Sequence, residues 1–382
     1  MQIRLFTPGP TSVPAEVTLS MAGPLPHHRT PEFRTTFQRV SAALREIHRT
    51  PDPVLVLTAS GTGAMEAAVV NLTSPGERVL AVNAGKFGAR WGELLRTYGR
   101  DVHEMTLEWG ESPEPAHVRE AAARHRARSL FVTHSETSTG ALVDLERLGE
   151  VARELDLLLV ADCVTSLGIH PIETKSWGVD CVVSGSQKGY MLPPGLAFVS
   201  LSERAQAKLA ANPSPRFYFD LGRALQSAPA GQSPWTPAIT LVLGLDAACR
   251  RILDEGLGRV WHRHAVLAEA VRAGVRALGL ELVAAHPSNA LTAVHVPERV
   301  GADAVRDTLA RRFGIQVAGG QARLQGKIVR IGHLGAHEPA DILLFLGAFE
   351  AALSAHGHPV APGTALATAQ PVLSTLGGEG GR

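Results

Sequence analysis

The sequence lacks most of what would tie a chain of 382 residues to a membrane, a nucleic acid or an oxidising compartment. It has only three cysteines, Cys163, Cys181 and Cys249, far apart and in no CxxC pattern. That spacing excludes a disulfide framework and a zinc site, so no metal is expected, and it fits reduced thiols in the cytoplasm. Charge of one sign is missing too. Thirty-seven Lys and Arg stand against 36 Asp and Glu, a formal net charge of +1, so no field draws in nucleic acid or an anionic membrane. No apolar run is long enough to span a bilayer; the best, residues 238–244, soon meets Asp246. Residues 1–10 show no basic segment followed by an apolar core, so no signal peptide is expected.

What is present is a globular composition, 45% hydrophobic and 19% charged, long enough for a large and a small domain. Short apolar runs alternate with helical patterns. Strands are expected at 54–57, 79–82, 130–132, 157–161, 181–183 and 197–200, with helices at 63–72, 90–98, 116–126 and 145–155 between them. Nearly all-apolar strands separated by helices imply an α/β fold with a largely parallel sheet covered on both faces. Ligands of such sheets sit at the carboxyl ends of the strands. Residues 203–236 are loop-rich. Helical pattern resumes over 238–253 and 260–278. A smaller unit follows, with strands at 291–296 and 328–331 and helices at 302–313 and 340–354. The division is therefore an N-terminal arm (1–15), a large domain (16–257), a small C-terminal domain (258–355) and a tail (356–382). The tail is rich in Pro, Gly, Ala and Thr and is expected to be mostly disordered.

The polar motifs fall at the strand ends. Ser60-Gly61-Thr62-Gly63 opens a helix, and its free N–H groups and positive dipole end suit a phosphate. It also reads as an ordinary cap, and it matches neither G-x-G-x-x-G nor a Walker loop. Asn83-Ala84-Gly85-Lys86-Phe87-Gly88 offers Phe87 as a platform for a flat ring, or as plain core. Thr133-His134-Ser135-Glu136-Thr137-Ser138-Thr139-Gly140 crowds hydroxyls and a carboxylate into one loop. Asp162 ends a buried strand and needs a cationic or hydrogen-bonding partner. Ser184-Gly185-Ser186-Gln187-Lys188-Gly189 ends another, and burial there would lower the pKa of Lys188 and suit it to attack carbonyls. Arg330 lies inside Ile328-Val329-Arg330-Ile331-Gly332, where a guanidinium meets a carboxylate or phosphate, or a structural partner. Thr7-Pro8-Gly9-Pro10-Thr11 is an extended turn that either lies over a site or is only an arm. Pro26-His27-His28-Arg29 is a pocket wall or a solvated turn. A cradle, a platform, a carboxylate, an amine and an arginine together describe a site for pyridoxal 5′-phosphate (PLP).

These motifs, in this order over residues 5–355 and joined by Ser166-Leu167-Gly168 and Pro193-Pro194-Gly195, resemble the class V aminotransferases of the alanine–glyoxylate and serine–pyruvate group. The resemblance implies fold type I, with a seven-stranded, mostly parallel sheet in the PLP-binding domain, a smaller α+β domain, and a homodimer with active sites at the interface. It implies that Lys188 carries the cofactor and that Asp162 pairs with its ring nitrogen. Ser60, Gly61 and Thr62 would hold the phosphate, Phe87 would stack on the ring, and Ser138 and Gln187 would contact its side. Arg330 would hold the substrate carboxylate, near Pro8 and Gly9 of the arm. Thr236, in Trp235-Thr236-Pro237, would reach the neighbouring subunit's phosphate. The reaction implied is ping-pong Schiff-base transamination from alanine or serine to glyoxylate or pyruvate. Transamination of 2-aminoethylphosphonate and a non-catalytic subunit of a complex are the alternatives. A cysteine desulfurase would need a reactive cysteine on a late loop, and Cys249 sits in an apolar helix instead.

Overall fold

Strand Val54–Thr58 shows why the central strands read as unbroken apolar runs. Val54 and Val56 enter one hydrophobic core, and Leu55 and Leu57 enter the core on the opposite side. The same split holds for Leu130 and Val132 against Phe131, and for Leu159 and Ala161 against Leu158 and Val160. Each strand is dry on both faces, so polar alternation is lost. In this computed structural model, which describes residues 3–377, seven strands form the large sheet. Their order is Val54–Thr58, Leu196–Leu201, Cys181–Gly185, Leu158–Asp162, Ser129–Thr133, Arg78–Asn83, Asp101–Thr106. Leu196–Leu201 runs antiparallel to both neighbours, and the remaining pairs are parallel. The edge strand Asp101–Thr106 is absent from the apolar pattern because it covers nothing on its outer side. Asp101, His103, Glu104 and Thr106 leave it half exposed, as suits a sheet edge.

The smaller sheet has the order Arg4–Phe6, Ile315–Gly319, Ile328–Gly332, Leu291–His295. The start of the N-terminal arm is thus a strand, with Arg4 opposite Ile315 and Phe6 opposite Val317. Phe6 is fully buried, its ring 4.8 Å from that of Phe345. Ile315–Gly319 also escapes the sequence pattern, being short and carrying the exposed Gln316.

The tail corrects the expectation of disorder. Thr364–Ser374 is a helix. Ala365, Ala369 and Leu373, four apart, form its buried stripe, and it packs against helices Leu257–Ala277 and Pro339–Ala355. Small residues let the backbones approach: a Cβ on Gly274 would lie 3.3 Å from that of Ala365. The buried Glu350 accepts hydrogen bonds from the Gly363 and Ala365 amides, at 3.1 and 2.7 Å, and so holds the N-terminus of this helix. Composition alone missed it because alanine and glycine read as linker residues as easily as close-packing ones. Residues 378–382 of that tail lie outside the described residues. Deleting residues 361–382 is expected to lower the midpoint of thermal unfolding by several degrees, since it strips this stripe and leaves the Glu350 carboxylate unpaired. Calorimetry checks this, and an unchanged midpoint would mean that the helix adds nothing to the fold.

Candidate active site

The strands of the large sheet deliver their polar ends to one cavity of about 220 Å³. Lys188 follows strand Cys181–Gly185, Asp162 closes Leu158–Asp162, and Ser60 caps the helix Gly61–Leu72 that follows Val54–Thr58. Phe87 lies in the first turn of helix Lys86–Thr97, after Arg78–Asn83. Gly9, Ser60, Gly61, Thr62, Phe87, Asp162, Gln187 and Lys188 all line this one cavity.

Lys188 is 8% exposed. Burial lowers its pKa from the ordinary 10.5 to about 8, while the Asp162 carboxylate pulls it back up and the charge of Arg330 pushes it further down. Its Nζ donates to the Pro8 carbonyl. The arm is sewn across the lysine: Thr11 donates its amide to the Gln187 carbonyl (3.2 Å) and its hydroxyl to the Lys188 carbonyl (3.2 Å). Only glycine fits at position 9, where φ is +126° and a Cβ would lie 2.5 Å from Lys188 Cδ. Gly332 is equally constrained, since a Cβ there would lie 2.1 Å from the Thr7 carbonyl oxygen.

Asp162 is 4% exposed. Desolvation raises its pKa from 3.8 to about 6, against the opposing hydrogen bond from the Val164 amide, which Oδ1 accepts at 2.9 Å. No cationic side chain pairs with it within 4 Å among the described residues. Gln187 Oε1 is buried with no hydrogen-bond partner. At the cradle the Ser60 side chain caps nothing, and the amides of Gly61, Thr62 and Gly63 have no partner among the described residues. A site for a cationic ring nitrogen, a donor for Gln187 and an anion for three amides are therefore all left open. The residues fit a flat heteroaromatic phosphate. Among the described residues no group of His, Cys, Asp and Glu is arranged to hold a metal.

Glu136 organises the far wall. Its buried carboxylate accepts hydrogen bonds from the amides of Phe87 (3.0 Å), Gly88 (2.9 Å) and Ser138 (3.0 Å), and from the Ser138 hydroxyl (2.6 Å). A carboxylate at a helix N-terminus is favourable, and here it fixes the backbone from which Phe87 projects. The Ser138 hydroxyl also accepts from the Lys86 amide (3.1 Å), so Ser138 is spent on this bracing and does not line the cavity. Arg330, 6% exposed, donates Nε to the Gly319 carbonyl (2.8 Å) and Nη1 to the Thr137 carbonyl (3.0 Å). Burial lowers its pKa to about 10. No carboxylate lies within ion-pair distance of it among the described residues. It sits behind Thr137, which does line the cavity.

Four candidate residues lie elsewhere in this chain. Thr236 is exposed and outside the cavity, and the turn at His27, His28 and Arg29 is partly exposed and contributes no lining. Four lining residues were not expected, Met65, Arg90, Val164 and Thr165, while Pro10, Thr137 and Pro194 come from motifs already noted. Val164 follows Asp162 by two and packs against Gly61, where a Cβ would lie 2.8 Å from it. Arg90 stands three after Phe87, a spacing that puts both on one helix face and was readable once Phe87 was chosen.

Comparison with known proteins gives a consistent picture. The family profile described as aminotransferase class-V matches residues 5–335. The chain is 42% identical to a protein of Synechococcus named soluble hydrogenase, small subunit, over 97% of this chain and 98% of that one. It is 34% identical to the serine–glyoxylate aminotransferase of Methylorubrum extorquens, over 97% and 95%. Its structure resembles the aspartate aminotransferase of Thermus thermophilus with a TM-score of 0.87 and 39% identity, over 92% of this chain and 99% of that one.

The raised pKa of Asp162 predicts a pH effect on the protein without ligand. Between pH 3.8 and about 6 the unfolded carboxyl ionises before the folded one. The group therefore favours the fold in acid, and that contribution is lost as pH rises to about 6. Asp162→Asn should stabilise the ligand-free protein by on the order of 2 kcal/mol at neutral pH, and not below pH 4. Denaturant unfolding at the two pH values measures this; an equal effect at both would contradict it.

Proposed function

The chain belongs to the aminotransferase class-V family, and we propose that it moves an amino group between alanine or serine and glyoxylate or pyruvate, with PLP on Lys188. Transamination follows from the family. The observation that carries the cofactor assignment is the pairing of a desolvated amine and a desolvated carboxylate on one cavity with three free amides at its end. PLP, when bound, supplies an aldehyde that takes up amines and a ring that draws electrons from the substrate Cα. Asp162, buried and anionic, holds a proton at the ring nitrogen. Lys188, with its pKa near 8, accepts and returns the proton at Cα close to neutral pH. Gln187, whose buried Oε1 lacks a donor, accepts a hydrogen bond at the ring side, and Phe87, braced by Glu136, supports its face. The arm at Pro8 and Gly9 excludes water from Lys188. Arg330, without a carboxylate of its own, takes that of the substrate.

Glyoxylate as acceptor is supported by the relative named serine–glyoxylate aminotransferase. A homodimer is supported by an exposed aromatic surface beside the cradle. Phe217 is 66% exposed and stacks on Trp235 at 5.0 Å, and Tyr218, 48% exposed, donates to the Thr58 carbonyl. Thr236 belongs to this surface, where it would meet a second copy. The name of the Synechococcus relative favours a second reading, a subunit of a larger complex. The burial of Lys188 and Asp162 on one cavity without an ion pair between them weighs against a non-catalytic role, because a disused site has no need to bury two charged groups.

The deciding experiment adds single amino acids to the purified, PLP-loaded protein and follows the spectrum for conversion to the pyridoxamine form. Alanine or serine is expected to convert it fastest. A colourless protein that takes up no PLP would overturn the cofactor reading, and exclusive conversion by another amino acid would overturn the donor. Borohydride should fix PLP on Lys188, and Lys188→Ala should abolish turnover. Arg330→Ala should raise KM for the amino acid by about 10–100-fold, the worth of a charge-assisted hydrogen bond. An unchanged KM would remove Arg330 from the substrate site.

A further inference from the structure

Resting on the PLP reading, we propose that Arg90 is the counter-ion of the cofactor phosphate and the link between its cradle and its ring platform. The cradle residues Ser60, Gly61 and Thr62 carry no charge, yet a phosphate there brings a charge of about −2 to a half-buried wall of the cavity. Three charged side chains line that cavity: Lys188, Asp162 and Arg90. The first two are committed to the aldehyde and the ring nitrogen, which leaves Arg90.

Its position matches the task. Nη1 donates to Thr62 Oγ1 at 3.1 Å, so the guanidinium already touches the cradle. Its Cζ lies 4.8 Å from the centroid of the Phe87 ring, a cation–π contact with the platform. Helical spacing, Phe87 to Arg90, turns both side chains to the same face of Lys86–Thr97. No carboxylate pairs with Arg90 among the described residues, and the Thr62 contact is the one hydrogen bond its side chain makes among them. The other N–H groups of the planar fork are free for phosphate oxygens. The alternative task, holding a distal carboxylate of a dicarboxylic substrate, fits less well. Arg90 is bonded to the cradle, whereas the carboxylate site proposed at Arg330 is anchored on Thr137 and Gly319.

The test compares two ligands that differ only in the phosphate. PLP and pyridoxal are titrated into the cofactor-free full-length protein and its Arg90→Gln and Arg90→Lys variants, with absorbance or intrinsic fluorescence reporting the dissociation constants. Arg90→Gln is expected to weaken PLP by about 10–100-fold and leave pyridoxal within about twofold. Arg90→Lys should recover a good part of the PLP affinity, since the charge remains without the fork. Equal PLP affinity in wild type and Arg90→Gln would overturn the proposal. Equal weakening of both ligands would also overturn it, because a mere prop for Phe87 would act on the ring alone. If Arg90→Gln fails to fold, Arg90→Lys and the salt dependence of the wild-type PLP-to-pyridoxal affinity ratio decide; a ratio insensitive to salt removes the charge contribution. A wild type that binds neither ligand would instead defeat the cofactor reading.

Discussion

The cleft is built around keeping one amine out of water. Burial disfavours the ammonium form of Lys188 and brings its pKa to about 8, but a desolvated amine needs a hydrogen-bond acceptor. The Pro8 carbonyl supplies it, and this requires the N-terminal segment to cross the cavity. The crossing in turn requires a residue without a side chain at position 9, where Lys188 leaves no space, and another at 332, where the arm passes over the end of strand Ile328–Gly332. The arm is held at its other end by pairing of Arg4–Phe6 with the small sheet. Contacts around one buried amine thus tie the large sheet, the small sheet and the start of the chain together.

The second organising group is Glu136. A buried carboxylate is costly unless its oxygens are satisfied, and here three backbone amides and a hydroxyl do so. The same bonds join the loop after strand Ser129–Thr133 to the N-terminus of helix Lys86–Thr97. The direction of Phe87, and with it of Arg90, follows from a residue that does not line the cavity. Loss of Glu136 would be felt first at the ring platform rather than in the core.

Much of this was legible because both faces of the large sheet are dry. Val54, Leu55, Val56 and Leu57 leave no ambiguity about a buried strand, and the polar residue ending each run marks the ligand edge. Where burial is one-sided the signal weakens. Asp101–Thr106 and Ile315–Gly319 were invisible for that reason, and the helix Thr364–Ser374 was hidden by residues that serve linkers and tight packing alike. At the site, Lys188, Asp162, Ser60 and Phe87 stood out as polar or aromatic residues at strand ends. Arg90, Val164 and Thr165 did not, because each lies two or three residues along a helix or loop from a residue that did.

The sequence by itself determined the α/β class, the parallel core and the strand-end position of the polar motifs, those of Lys188 and Asp162 among them, because these depend on local hydrophobic pattern and on residue type. Only the tertiary structure decided which polar groups share the cavity. Ser138 turns away to Glu136, Arg330 withdraws behind Thr137, and Arg90 joins Thr62. The partners of Arg330 and Arg90 lie 193 and 28 residues away in the chain, and Ser138 also meets the Lys86 amide 52 residues away, so these choices form only when the strands are in register.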